Sequence, residues 1–114
     1  MSLLFSKDLE TYCEEHTTSE SELLYQLNRE THLKTLRPRM LAGKLQGRFL
    51  SLLSSLIQPK YLLEIGTYTG YSTLCLAEGL SKNGELHTIE KNEELEKIIR
   101  KYIHLSPYKE QIHL

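Results

Sequence analysis

Two carboxylates and two glycines in this 114-residue chain are spaced to build a small-molecule site. The stretch Leu63-Glu64-Ile65-Gly66-Thr67-Tyr68-Thr69-Gly70-Tyr71-Ser72 contains the pattern Glu64-x-Gly66-x-x-x-Gly70. An apolar run ends at Gly66 and a helical pattern starts after Gly70, so the motif falls where a strand turns into a helix. In open α/β sheets, ligands bind at the carboxyl ends of strands, beside helix N-termini. Gly66 has no side chain to keep a ligand from the backbone, and Gly70 permits a tight entry into the helix. Glu90 closes the next strand, and its carboxylate can accept both hydroxyls of an adenosine ribose.

Glu64 sets the charge preference. Dinucleotide folds grip a pyrophosphate with G-x-G-x-x-G, and Glu64 stands where their first glycine would be. A carboxylate there repels pyrophosphate and suits a cationic ligand. S-adenosylmethionine (SAM) carries an ammonium and a sulfonium, so it fits better than NAD. Two alternatives stay open: a nucleotide-binding Rossmann oxidoreductase, and a non-catalytic SAM-binding or interaction fragment.

The positioning elements follow from the hydrophobic period. Residues 7–15 predict a short helix with Leu9, Tyr12 and Cys13 on one side. Ser19-x-x-Glu22 reads as a capping box for a helix running to about Leu36, with Leu23, Leu24, Leu27 and Leu33 inward. Pro38 ends it. Residues 43–57 predict a third helix with Leu45, Phe49, Leu52, Leu53 and Leu56 as its core stripe, closed by Pro59. Tyr61–Ile65 suits a strand buried on both faces. A helix follows over 71–80, then a strand over 85–90. Asn92 caps a charged helix over 93–105, with Leu95, Ile98, Ile99 and Tyr102 inward. Pro107 ends that helix, and a third strand starts at 111–114. Strands alternating with helices imply a parallel, doubly wound sheet with right-handed crossovers. Residues 1–58 form a helical N-terminal part, and 59–114 the first half of a ligand-binding α/β domain.

Composition excludes several classes. Lys and Arg number 14 and Asp and Glu 15, for a net charge of −1. Nothing there draws the chain to nucleic acid or to an anionic membrane, and Lys34, Arg37 and Arg39 read as solvated surface. Cys13 and Cys75 make neither a disulfide framework nor a zinc site, and Cys75 reads as a small core residue. The five histidines lack metal-ligand spacing. No targeting segment or membrane span is read in the sequence, so the expected location is the cytoplasm.

The motif, with Met40 and Gly43 upstream and Thr88-Ile89-Glu90 downstream, resembles the catechol and caffeoyl-CoA type O-methyltransferases. The resemblance is good over residues 38–114 and looser over the N-terminal helices. It implies a partial Rossmann-like methyltransferase sheet of about three parallel strands preceded by helices. It implies SAM as cofactor and a small aromatic, catechol-like acceptor. Position by position, Glu64 lies by the methionine part of SAM, and Gly66 and Tyr68 form the loop around it. Ser72 bonds the SAM carboxylate and Glu90 the ribose. Ala42 offers backbone to the amino-acid end, and Met40 flanks the methyl-transfer region. Ser72 is also a candidate helix cap, Tyr68 and Tyr71 candidate packing residues, and Met40 a candidate core filler.

The resemblance also implies a divalent metal, usually Mg²⁺, that orients the acceptor oxygens. Its ligands follow the fourth and fifth strands, and no residue here matches them. Metal ligands and general base are therefore unassigned, and the 114-residue chain alone is expected to be inactive. The family's strand order, 3-2-1-4-5, makes strand 61–65 central. Without a fourth strand its far edge is open, which predicts homodimerisation, swapping or aggregation through it.

Overall fold

The computed structural model describes residues 6–114. The reading of the extreme N-terminus as free of a targeting segment falls in part on residues 1–5, outside the described residues. Helices α1 (Lys7–Glu15), α2 (Glu22–Lys34) and α3 (Gly43–Ile57) precede strand β1 (Tyr61–Ile65). Helix α4 (Tyr71–Ala77), β2 (Glu85–Ile89), α5 (Glu96–Leu105) and β3 (Ile112–His113) complete the order. Short 3₁₀ turns cover Pro38–Met40 and Glu93–Leu95. The strands form one parallel sheet in the order β1-β2-β3, with Glu64 opposite Thr88 and Ile65 opposite Ile89. This is the α/β architecture that the alternating pattern predicts.

The core lies between one face of the sheet and the helices. Leu24 and Leu27 of α2 join Tyr71, Leu74, Cys75 and Ala77 of α4, Leu86 of β2, Ile99, Tyr102 and Ile103 of α5, and Ile112 of β3. Cys75 is the small core residue expected, and burial pushes its thiol up to about 11. That removes it from thiolate chemistry at neutral pH. Polar anchors tie the helices together. Glu30 of α2 meets Lys101 Nζ at 2.6 Å and Tyr102 Oη at 3.1 Å on α5. The hydrogen bond from Lys101 holds the Glu30 carboxyl below the usual carboxylate range. Arg48 of α3 grips Glu78 with its two terminal guanidinium nitrogens, at 3.2 and 2.5 Å.

Several expectations need correction. Ser21, not Ser19, caps α2, and its Oγ accepts the Leu24 N–H at 3.2 Å. That helix stops at Lys34, short of Leu36, and Leu33 is exposed. The predicted core stripe of α3 faces outward: Phe49, Leu52, Leu53 and Leu56 are all exposed. The buried residues of α3 are Gly47 and Ser54. Small residues win there because α3 and α4 approach closely, and Ser54 Oγ donates to the Leu76 carbonyl at 2.6 Å. Amphipathic period alone does not say which stripe meets the core when the closest contact needs little side chain. Leu9 and Tyr12 of α1 are likewise exposed. α4 ends at Ala77 rather than Leu80, and α5 begins only after the 3₁₀ turn that Asn92 caps.

The strand at 61–65 is not buried on both faces. Leu62 and Glu64 turn toward the helices, while Tyr61, Leu63 and Ile65 point to solvent. Among the described residues, β1 has one sheet neighbour and lies at an edge. His87, Ile89 and His113 continue the exposed face.

Candidate functional site

The loop from Gly66 to Gly70 carries the site. Gly66 and Gly70 have φ of 96° and 99°, a region that favours glycine. Gly70 is the N-cap of α4, so Ser72 is an early helical residue rather than the cap. A Cβ added at Gly66 would meet no protein atom within 4 Å, so the space above that backbone is open to a ligand. Tyr68 is also left-handed, with φ of 51°. Its strain is offset by three contacts. Its N–H donates to Glu90 Oε1 at 2.7 Å, and its hydroxyl lies 2.8 Å from Thr35 Oγ1 and 2.6 Å from the Arg37 carbonyl oxygen. Thr69 is fully buried, with Oγ1 3.0 Å from Thr31 of α2. The N-terminal helices therefore hold the loop from one side and β2 from the other.

Two clefts flank Tyr68 and Met40. One, of about 140 Å³, is lined by Met40, Ala42, Gly66, Tyr68 and Ser72, together with Gln46 and Tyr71. The other, of about 470 Å³, is lined by Met40, Tyr68 and Glu90, with Thr35, Arg37 and Leu95 on its far wall. Six of the seven residues nominated from sequence thus meet around one loop. Met40 is exposed and shared by both clefts, so it is a wall residue rather than core filler. Tyr71 is a packing residue at the cleft's base, its hydroxyl donating to the Glu20 carboxylate.

Glu64 is the exception, since it lines neither cleft. It sits under the start of α4, where its carboxylate accepts three hydroxyls. Ser72 donates to Oε2 at 2.7 Å, while Thr73 and Thr88 donate to Oε1, the latter at 2.8 Å. Glu90 Oε2 accepts the Asn92 N–H at 3.0 Å. Sequence reasoning passed over Gln46, Thr73 and the polar role of Thr88. The signal for Thr88 was available: it alternates with Ile89 on β2 and faces the same side as Glu64, its register partner. The arrangement offers a carboxylate at the far end, open backbone in the middle and a hydroxyl backed by a second carboxylate at the near end.

Comparison with known proteins agrees with this geometry. A profile of the O-methyltransferase family matches residues 14–114. Over 45 residues, 40% of this chain, it is 56% identical to the catechol O-methyltransferase of Niastella koreensis. Over 95 residues, 82% of this chain, it is 37% identical to caffeoyl-CoA O-methyltransferase 1 of Arabidopsis thaliana. The O-methyltransferase of Bacillus cereus, solved in complex with SAH, superposes with a TM-score of 0.84 over 93% of this chain at 29% identity. The matched segments span 20%, 36% and 48% of those three proteins, so the chain covers about half of the solved relative and less of the curated ones. With the profile spanning nearly all of its length, the chain belongs to the O-methyltransferase family.

Proposed function

We propose that the chain builds the SAM-binding part of an O-methyltransferase that methylates a hydroxyl of a small aromatic, catechol-like acceptor. The observation that carries this is the convergence of Ala42, Gly66, Tyr68, Ser72 and Glu90 on clefts that share the Gly66–Gly70 loop. When bound, SAM supplies a methyl group on a sulfonium, open to in-line displacement by an acceptor oxygen. Glu90 accepts the ribose hydroxyls. The open backbone at Gly66 lets the sulfonium region pass. Ser72 and the Ala42 backbone hold the carboxylate, and the charge of Glu64 favours the ammonium. Met40 and Tyr68 wall the region between the clefts, where the acceptor would approach.

The divalent ion implied by the resemblance does not fit the residues present. Among the described residues no group of three His, Cys, Asp or Glu side chains could hold a metal ion. No helix among them is long and apolar enough to cross a membrane. A net charge of −1 favours a small-molecule ligand over nucleic acid.

Calorimetry tests the cofactor. SAH is expected to bind in the micromolar range, at least tenfold tighter than NAD, because the Glu64 charge behind Ser72 disfavours a pyrophosphate in the cleft. NAD binding as tightly as SAH would return the oxidoreductase alternative.

A second property rests on a separate observation. Among the described residues the outer edge of β1 has no strand partner, and Ile65, 80% exposed, and Tyr61, 69% exposed, put apolar surface beside it. We propose that two copies associate through this edge. Sedimentation is expected to show a dimer, and Ile65→Lys a monomer. A wild-type monomer at high concentration would remove this association.

A further inference from the structure

Glu64 is inward and partly buried, and it reaches no cleft directly. Its two oxygens are held differently. Oε1 takes both Thr73 and Thr88, whose side chains are buried. Thr88 Oγ1 also lies 2.5 Å from Thr67 Oγ1; since the Thr88 proton goes to Glu64, Thr67 donates to Thr88. Oε2 takes only Ser72, which alone of the three hydroxyls that donate to Glu64 lines a cleft.

We infer that Thr73 and Thr88 are positioning residues: they fix Glu64 by Oε1 so that Oε2 remains available to a cationic ligand group through exchange with Ser72. The inference rests on the cofactor reading above. In the ligand-free arrangement, Oε2 accepts the Ser72 proton. An ammonium entering the smaller cleft takes over Oε2 with a charge-assisted hydrogen bond, which is stronger than the neutral donor it replaces. The Ser72 hydroxyl is then free to turn and donate to the ligand carboxylate. One proton donor replaces another, and no covalent bond changes. The exchange needs a carboxylate that does not swing, because a rotating Glu64 would stay with Ser72 or follow it. Two buried threonine donors, one of them backed by Thr67, prevent the swing.

The experiment separates positioning from general damage. SAH, which has the amino-acid end, and 5′-methylthioadenosine, which lacks it, are titrated into wild type, Thr88→Val, Thr73→Val and Thr88→Ser. Valine keeps the shape of threonine without the hydroxyl, and serine keeps the hydroxyl. The valine variants are expected to bind SAH about tenfold more weakly and methylthioadenosine within twofold of wild type. Thr88→Ser is expected to restore SAH binding to within threefold. Equal losses for both ligands, or none for either, would overturn the positioning role while leaving the cofactor reading intact. If wild type binds methylthioadenosine but not SAH, the Glu64–Ser72 exchange is wrong. If it binds neither, the cofactor reading falls and takes this inference with it.

Discussion

Gly79→Ala is expected to destabilise the chain by about 3 kcal/mol or more, lowering the thermal midpoint by roughly 10–15 °C. Gly79 lies just past α4, and its φ is not in the left-handed region, so alanine is not excluded by conformation. The cost comes from contact. A Cβ at that position would fall 2.2 Å from the Ser54 carbonyl carbon and 2.3 Å from the Ser55 nitrogen of α3. Both are backbone atoms, so no rotamer relieves the overlap. The helices would have to part by about an ångström, enough to weaken close-packed contacts along the seam. Parting stretches the Ser54–Leu76 hydrogen bond and the Arg48–Glu78 pair, which lie on the same seam. Native stability is only about 5–15 kcal/mol, so such a loss is a large share. Gly47→Ala is the informative comparison. Its Cβ would meet Tyr71 Cε1 at 2.7 Å and Cys75 Sγ at 2.8 Å, which are side-chain atoms with some freedom to shift. It should cost clearly less than Gly79→Ala. Circular dichroism melts of the two variants decide the point, and equal midpoints would show that the α3–α4 seam is not rigid.

That seam also marks where the sequence stopped being legible. Among the described residues, period-2 and period-3.6 patterns located the three strands and the five α-helices. Turn chemistry at Gly66, Gly70 and Pro59 placed the breaks. The inward face of α3 was not legible, because a close helix contact selects for what is absent from a side chain. Leu52 and Leu56 therefore looked more like core than Gly47 and Ser54. The exposed face of β1 was misread for a related reason. Its apolar run describes a strand covered on both sides, and the described residues cover one. The candidate site was more readable than the packing around it. Six nominated residues meet at two clefts because their positions hang on one strand–turn–helix motif, whose geometry is local. The hydroxyl cage of Glu64 needed tertiary information, since it joins β1, α4 and β2.

Glu90→Ala is expected to weaken SAH binding at least 100-fold while costing only about 1 kcal/mol of stability. The first figure follows from the chemistry proposed for the site. Two ribose hydroxyls lose a charged acceptor, and hydrogen bonds to charged groups contribute about 1.5–3 kcal/mol each. Either bond alone accounts for tenfold or more. The loop adds to the effect. Glu90 holds the Tyr68 N–H at 2.7 Å, and Tyr68 is kept in a left-handed conformation that few non-glycine residues adopt. Without that acceptor the turn can relax, moving the wall that both clefts share. The small stability cost follows because Asn92 still caps the next turn through its own side chain, and the Tyr68 hydroxyl keeps its contacts with Thr35 and Arg37. Glu90→Gln divides the two contributions. Its amide oxygen can still accept the Tyr68 N–H, but the charge is gone, so binding should fall about tenfold with the loop intact. Calorimetry gives the affinities and urea titration the stabilities. An affinity for SAH in Glu90→Ala within threefold of wild type would mean that the ribose lies elsewhere. A collapse in stability matching the loss of binding would mean that Glu90 acts on the fold rather than on the ligand.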